Sequence, residues 1–253
     1  LVQGDTATVF FASLAAFFEK IRVGHVEAGL RSNRKWSPFP EEMFRRLTDV
    51  LADHYFAPTP GAAEHLGAEG IPDHRIHITG NPVVDALQGL DLTGHHPADP
   101  RLRGALDSGA PVVLLTPHRR ESFGPGLERI FEAVAEVTRR RPGVRVVYPV
   151  HPNPNVLEPA RRILGEAEGV LLTEPLDYLD LVRVMGASSL ILTDSGGIQE
   201  EAPTFGVPVL VLREVTERPE GVALGAATLV GTDQSRILEE AERILDAGRD
   251  GVG

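Results

Sequence analysis

The sequence predicts an α/β protein, a parallel β-sheet covered by helices on both faces. Two observations carry this. Short runs of Val, Ile and Leu, such as Val112–Thr116 and Leu190–Thr193, alternate with longer segments of helical apolar spacing. The unusual polar residues Asp5, Glu27, His118, His151, Asp194 and Arg213 all follow the ends of such runs. Open α/β sheets bind their ligands at that place.

The elements follow in order. Phe10, Phe11, Leu14, Phe17 and Phe18 recur at helical spacing within Thr8–Phe18. Ile21–Val26 reads as a strand, Glu41–Ala52 as a helix after Pro38-Phe39-Pro40, and Asp53–Ala57 as a strand. A helix is expected near Gly61–Ala68 and a strand at Ile76–Thr79, ending in Gly80-Asn81-Pro82. Asp91–Pro100 gathers Asp, Gly, His and Pro and reads as a linker, which suggests domains at 1–90 and 91–253.

The second half alternates more cleanly. Expected strands are Val112–Thr116, Val144–Pro149, Val170–Leu172, Leu190–Thr193, Val209–Leu212 and Thr228–Leu229. Expected helices are Leu127–Arg140, Val156–Leu164, Tyr178–Gly186, Ile198–Phe205, Val222–Gly225 and Ser235–Ala247.

Composition narrows the function. At 253 residues the chain can hold one large domain or two smaller ones, each with a core. Without cysteine it has no disulfide and no thiolate metal site, and this fits a cytoplasmic setting. The 36 acidic against 25 basic residues argue against a nucleic-acid binder. No apolar run approaches a membrane span. The chain opens on Leu1-Val2-Gln3-Gly4-Asp5, a strand end, and stops at Gly248–Gly253 just after a helix, which reads as an internal fragment truncated at both termini.

The most informative string is ILTDSGGIQEEAP at 191–203. An apolar strand runs into Asp194-Ser195-Gly196-Gly197 and then a helix. Ser195 offers a hydroxyl, the glycines permit close backbone approach, and the first helical N–H groups lack internal partners. Glu200 and Glu201 follow, so a ligand with sugar hydroxyls beside its phosphate fits, a sugar nucleotide rather than free phosphate. The same string also reads as a helix N-cap with an acidic first turn.

Other strand ends add candidates. Asp5 in QGDT is either a site carboxylate or a helix cap. Glu27 leaves a strand among small residues and either serves chemistry or pairs with Arg31. Pro40-Glu41-Glu42 is a third acidic locus or an ordinary acidic helix start. Clustered carboxylates can raise one another's pKa and so serve general acid or base work. His118, Arg119 and Arg120 suit phosphate. His151 sits between prolines in VHPNP, and Arg218 is placed to reach a phosphate oxygen. The scattered histidines and missing HExxH disfavour a metal site. Ser195 lacks the G-x-S-x-G elbow of a serine hydrolase.

The strings QGDT, GHVEAGLRS, PFPEEMFRRLTD, APT, TGNPVVDAL, TPHRRESFG, YPVHPNPNV, ILTDSGGIQEEAPTFGVPVLVLREVTERPE and LVGTD occur in order over nearly the whole chain. Together they resemble the non-hydrolysing UDP-N-acetylglucosamine 2-epimerases. The resemblance implies two Rossmann-like domains of glycosyltransferase B type, with the nucleotide held mainly by the C-terminal one. It implies interconversion of UDP-GlcNAc and UDP-ManNAc for cell-surface polysaccharides, without metal or redox cofactor, by cytoplasmic homodimers.

Carried over by motif, the resemblance makes Asp5, Glu27 and Glu41 the essential carboxylates and His118 the active-site histidine. Ser195, Gly196 and Gly197 match the diphosphate cradle, Glu201 the ribose carboxylate and Arg218 a phosphate-binding arginine. Leu181 stands where some members carry an aromatic residue near uracil, which leaves an apolar wall with weaker stacking. Arg119 and His151 match residues that in many bacterial members bind a second UDP-GlcNAc as activator. Two rivals stay open: a hydrolysing epimerase that releases ManNAc and UDP, and a non-catalytic sugar-nucleotide binding domain.

Overall fold

The computed structural model describes residues 1–248; the Arg249–Gly253 end of the expected C-terminal stop lies outside the described residues. The chain forms two compact units, Leu1–Asp85 and Ala86 onward.

In the first unit, β1 (Val2–Gln3), α1 (Ala7–Phe18), β2 (Gly24–Val26), α2 (Glu41–Leu51), β3 (His54–Ala57), α3 (Pro60–Ala68), β4 (Ile76–Ile78) and α4 (Pro82–Gln88) follow in order, α4 crossing the boundary. The four strands form a parallel sheet in the order β1-β2-β3-β4. Val23, Ala28, Leu30, Tyr55, Ala57, Ala62 and Leu66 make its core. Thr6 caps α1 through Val9 N–H, and Thr59 caps α3 through Ala62 N–H.

In the second unit the elements are α5 (Pro100–Asp107), β5 (Val112–Leu115), α6 (Pro125–Arg140), β6 (Arg145–Pro149), α7 (Pro154–Leu164), β7 (Val170–Thr173), α8 (Tyr178–Ala187), β8 (Ser188–Thr193), α9 (Gly196–Glu201), β9 (Val209–Val211), α10 (Pro219–Ala223), β10 (Ala227–Leu229) and α11 (Gln234–Ala247). All six strands are parallel, in the order β10-β9-β8-β5-β6-β7. Alternate residues go to opposite faces, as a strand's twofold side-chain period requires. Val113, Leu115, Leu190 and Leu192 pack with α6, α7 and α11. Val112, Leu114, Ile191 and Val211 pack with α5, α8 and α9. The sheet is therefore buried on both sides, which is why its strands read as unbroken apolar runs.

Several boundaries differ from the sequence reading. Strand pairing in β2 covers only Gly24–Val26: the Ile21 N–H donates to the Ala16 carbonyl at the end of α1, and the Val23 N–H donates to the Asp53 carboxylate. Two short helices, α4 and α5, occupy stretches read as turn and linker end; proline opens each one, where its missing N–H costs nothing. The helix expected from Ile198 starts at Gly196, and its last part, Ala202–Phe205, tightens into a 3₁₀ turn. The helix expected at Val222–Gly225 is α10, beginning three residues earlier at Pro219.

Candidate active site

The strand order of the second unit reverses between β5 and β8. The chain leaves β5 into one connection and leaves β8 into another, so a crevice opens beyond their carboxyl ends. Thr116–Arg119 follow β5 and Asp194–Gly197 follow β8. The hydroxyl of Thr116 donates to that of Thr193 at 2.7 Å, fastening the two strand ends together.

Asp194 ties the same loops. It is fully buried, and its Oδ2 accepts the backbone N–H groups of His118 at 2.8 Å and Arg119 at 2.7 Å. Burial pushes its carboxyl pKa up, and the nearby His118, these two N–H groups and Arg119 oppose that rise. The His118 ring lies parallel to that of His151, centroids 5.7 Å apart and planes 12° apart. Tyr148, buried in β6, donates its hydroxyl to the Pro117 carbonyl at 2.8 Å and braces the loop from below.

Ser195 stands at the N-cap of α9, yet its side chain makes no capping bond. Its hydroxyl and the first N–H groups of the helix are thus not spent on capping and form a donor set for an anion. The Arg218 guanidinium lies directly against Gly196: a Cβ there would approach Cζ to 2.8 Å. Arg218 is itself held by Glu200 and by Glu217, the latter at 2.6 Å. Glu217 also takes Arg213 at 2.9 Å, and Arg213 reaches Glu121 at 2.7 Å. Burial raises the carboxyl pKa of Glu200 and Glu201, and Glu200 adds to the rise at Glu201. Leu181 packs against the core of this unit, while Tyr178 one turn earlier is 43% exposed and feels the charge of Glu201.

The first unit gathers a second set. Asp5 does not cap α1; Arg45, buried on α2, binds its carboxylate through Nη2 and through Nε at 3.1 Å. Arg45 also donates to buried Glu42 at 3.1 Å, and Glu42 accepts the backbone N–H groups of Ser32 and Asn33. Glu27 sits at the end of β2 with φ 71°, a conformation rarely held by a residue with a side chain, and its carboxylate lies near Gly4 beside Asp5. Arg31 does not pair with Glu27. It binds Asp49 at 2.7 Å and Glu69 at 2.7 Å. His25 joins the same network, with Nδ1 2.6 Å from Asp49 and Nε2 donating to the Gly4 carbonyl at 2.8 Å. Glu41, half-buried, opens α2.

The anchors Arg45 and Asp49 escaped the sequence reading. A signal for them existed: Glu42, Arg45 and Asp49 share a helical face while Leu47 and Val50 are exposed, so α2 turns charged residues inward. Among the described residues, His95, Asp177 and Asp180 have ligand atoms within 4.8 Å of one another. Capping explains that cluster: Asp177 accepts the Asp180 N–H, and Asp180 pairs with His95 at 2.7 Å. No helix among the described residues is long and apolar enough to cross a membrane.

The model of the UDP-N-acetylglucosamine 2-epimerase family matches residues 1–252. The chain belongs to that family. A Salmonella typhimurium UDP-N-acetylglucosamine 2-epimerase is 50% identical across 97% of this chain and 66% of its own length. The chain thus spans just under two thirds of this curated relative. The Neisseria meningitidis UDP-GlcNAc 2-epimerase, solved bound to UDP-GlcNAc, superposes with a TM-score of 0.92 at 45% identity, covering 97% of this chain and 67% of that one. The S. aureus MnaA–UDP structure gives 0.91 at 46% identity, covering 97% and 66%. Both solved structures thus share the fold of this chain, whose two units each carry a parallel sheet.

Proposed function

We propose that the protein carrying this chain interconverts UDP-GlcNAc and UDP-ManNAc without hydrolysis. The observation that carries this reading is the anion cradle at the β5/β8 switch point. There an uncommitted Ser195 hydroxyl, the start of α9 and the Arg218 guanidinium converge on Gly196. The Neisseria relative, bound to UDP-GlcNAc, supports the choice of ligand.

The chemistry follows from the substrate. The C2 proton of the sugar has no adjacent carbonyl, so removing it to a free carbanion is too costly. Breaking the C1–O bond as the proton leaves solves this. The electron pair of the C2–H bond forms the C1–C2 double bond of 2-acetamidoglucal, and the C1–O pair departs with UDP. UDP then adds back and a proton returns to the opposite face of C2. Asp5, Glu27 and Glu41 are the acid and base groups. Ser195, Gly196, Gly197, Arg218 and His118 hold UDP as its charge grows. Glu201 receives ribose hydroxyls, whose donation would offset the rise that burial and Glu200 impose on its carboxyl pKa. Leu181 walls the uracil. Proton transfer and C–O cleavage suffice, so the reaction calls for no redox group.

Arg119 and His151 bind a second UDP-GlcNAc as activator in this reading, and the protein works in the cytoplasm as a homodimer. Phe11, Phe17, Phe18, Ile21 and Val50 of the first unit are exposed apolar side chains, of the kind that pairing with a second copy covers. Domains at 1–90 and 91–253 divide the work, carboxylates from the first and nucleotide from the second. The product would feed cell-surface polysaccharides.

The test is proton NMR of the gene product that contains these 253 residues, given UDP-GlcNAc. Accumulating UDP-ManNAc supports the proposal. Free ManNAc plus UDP would point to the hydrolysing reaction, and binding without turnover to a sugar-nucleotide binding domain.

A further inference from the structure

Asp194 does more than clip a loop. Its Oδ2 is satisfied by two backbone N–H groups, whereas its Oδ1 is buried without a hydrogen-bond partner. That oxygen lies 3.4 Å from His118 Nδ1. A buried carboxylate oxygen without a partner is costly, and a loop clip alone does not call for it. Nδ1 in turn lies 2.8 Å from the Thr116 carbonyl, which only accepts. Nδ1 therefore carries the hydrogen, and Nε2 is the open nitrogen of the neutral ring. The other ionisable groups at this ring are His151, stacked on it, and Arg119, whose charge acts on Asp194.

We propose that Asp194 is a positioning residue that backs the Nδ1–H which His118 directs at the Thr116 carbonyl, and that it offsets the positive charge of the ring when Nε2 also carries a proton. Nε2–H then donates to the diphosphate as the C1–O bond breaks. A small rotation of the ring brings Nδ1–H from the Thr116 carbonyl toward Oδ1, so the pair strengthens as the ring becomes cationic. The inference rests on the epimerase reading for its consequence in catalysis, but not for the tautomer itself.

Asp194→Asn tests it. The asparagine oxygen still accepts both loop N–H groups, while its NH₂ faces Nδ1. An NH₂ cannot accept from Nδ1–H, so the contact with the ring and the offsetting charge are both lost. We expect kcat to fall about 100-fold or more with KM changed little. Imidazole ¹⁵N shifts of the ligand-free chain, assigned by the signal lost in His118→Gln, should report Nδ1–H in the native protein. An Nε2–H tautomer in the native protein overturns the proposal, and this reading needs neither the variant nor any activity. Unchanged kcat in a folded, active D194N also overturns it. A protein without epimerase activity whose His118 carries its hydrogen on Nδ1 would instead count against the proposed function alone.

Discussion

The Arg218 guanidinium covers Gly196 so closely that no side chain fits between them. The absent Cβ is what lets a cation stand at the start of α9, where the helix already offers unpaired N–H groups. Glu200 and Glu217 fix the guanidinium there. Gly196→Ala should push Arg218 aside while leaving the sheet intact. We expect UDP affinity to fall at least tenfold, about 1.4 kcal/mol, with the unfolding midpoint nearly unchanged. Calorimetric titration with UDP against a denaturation curve separates these effects; native affinity in the variant would contradict the cradle.

Glu27 stores strain at φ 71°. Replacing it with glycine relieves that strain, whereas alanine keeps it. Glu27→Gly should therefore be more stable than Glu27→Ala by roughly 1 kcal/mol. Both should lose turnover, because both lack the carboxylate. Urea unfolding of the two variants decides it, and an alanine variant as stable as the glycine one would remove the strain.

Glu69 gives the pH test. Its hydrogen bonds with Arg31 hold its carboxyl down to about 2, against an ordinary value of 4.5. The folded pKa is depressed, so the stabilisation is complete above the unfolded value. It fades as pH falls from 4.5 towards 2. Glu69 is a third exposed and Arg31 keeps Asp49, so Glu69→Gln should cost only roughly 1 kcal/mol at neutral pH. The gap between the two proteins should close across that acid window in urea melts at stepped pH. A constant gap would show that the ion pair contributes nothing.

Much of this fold is legible from residues alone. Val112–Leu115, Ser188–Thr193 and Val209–Val211 are buried on both faces, so their apolar runs announce a covered parallel sheet. Short elements opened by proline are harder to read. Pro82 and Pro100 start helices α4 and α5, yet proline beside Asn, Asp or Gly signals a turn equally well. Gly196 and Gly197 read as a turn but form the first turn of α9, because neighbouring packing outweighs their weak helix propensity. In the candidate site, strand ends bring Asp5, Glu27, His118 and Ser195 forward as candidates in sequence reasoning. Arg45 stays hidden since its partner Asp5 is 40 residues away. The two N–H groups on Asp194 likewise come from residues 75 and 76 positions earlier. Such pairings exist only once the strands are ordered.

The central claim is that the C2 proton leaves as UDP departs and a solvent-exchangeable proton returns. The direct measurement is turnover of UDP-GlcNAc in deuterium oxide by the gene product containing this chain, followed by NMR at C2 of the recovered sugar nucleotides. The account predicts deuterium at C2 of UDP-ManNAc from the first turnover, then in the UDP-GlcNAc pool as equilibrium is reached. UDP-ManNAc formed with its original C2 proton retained would contradict it.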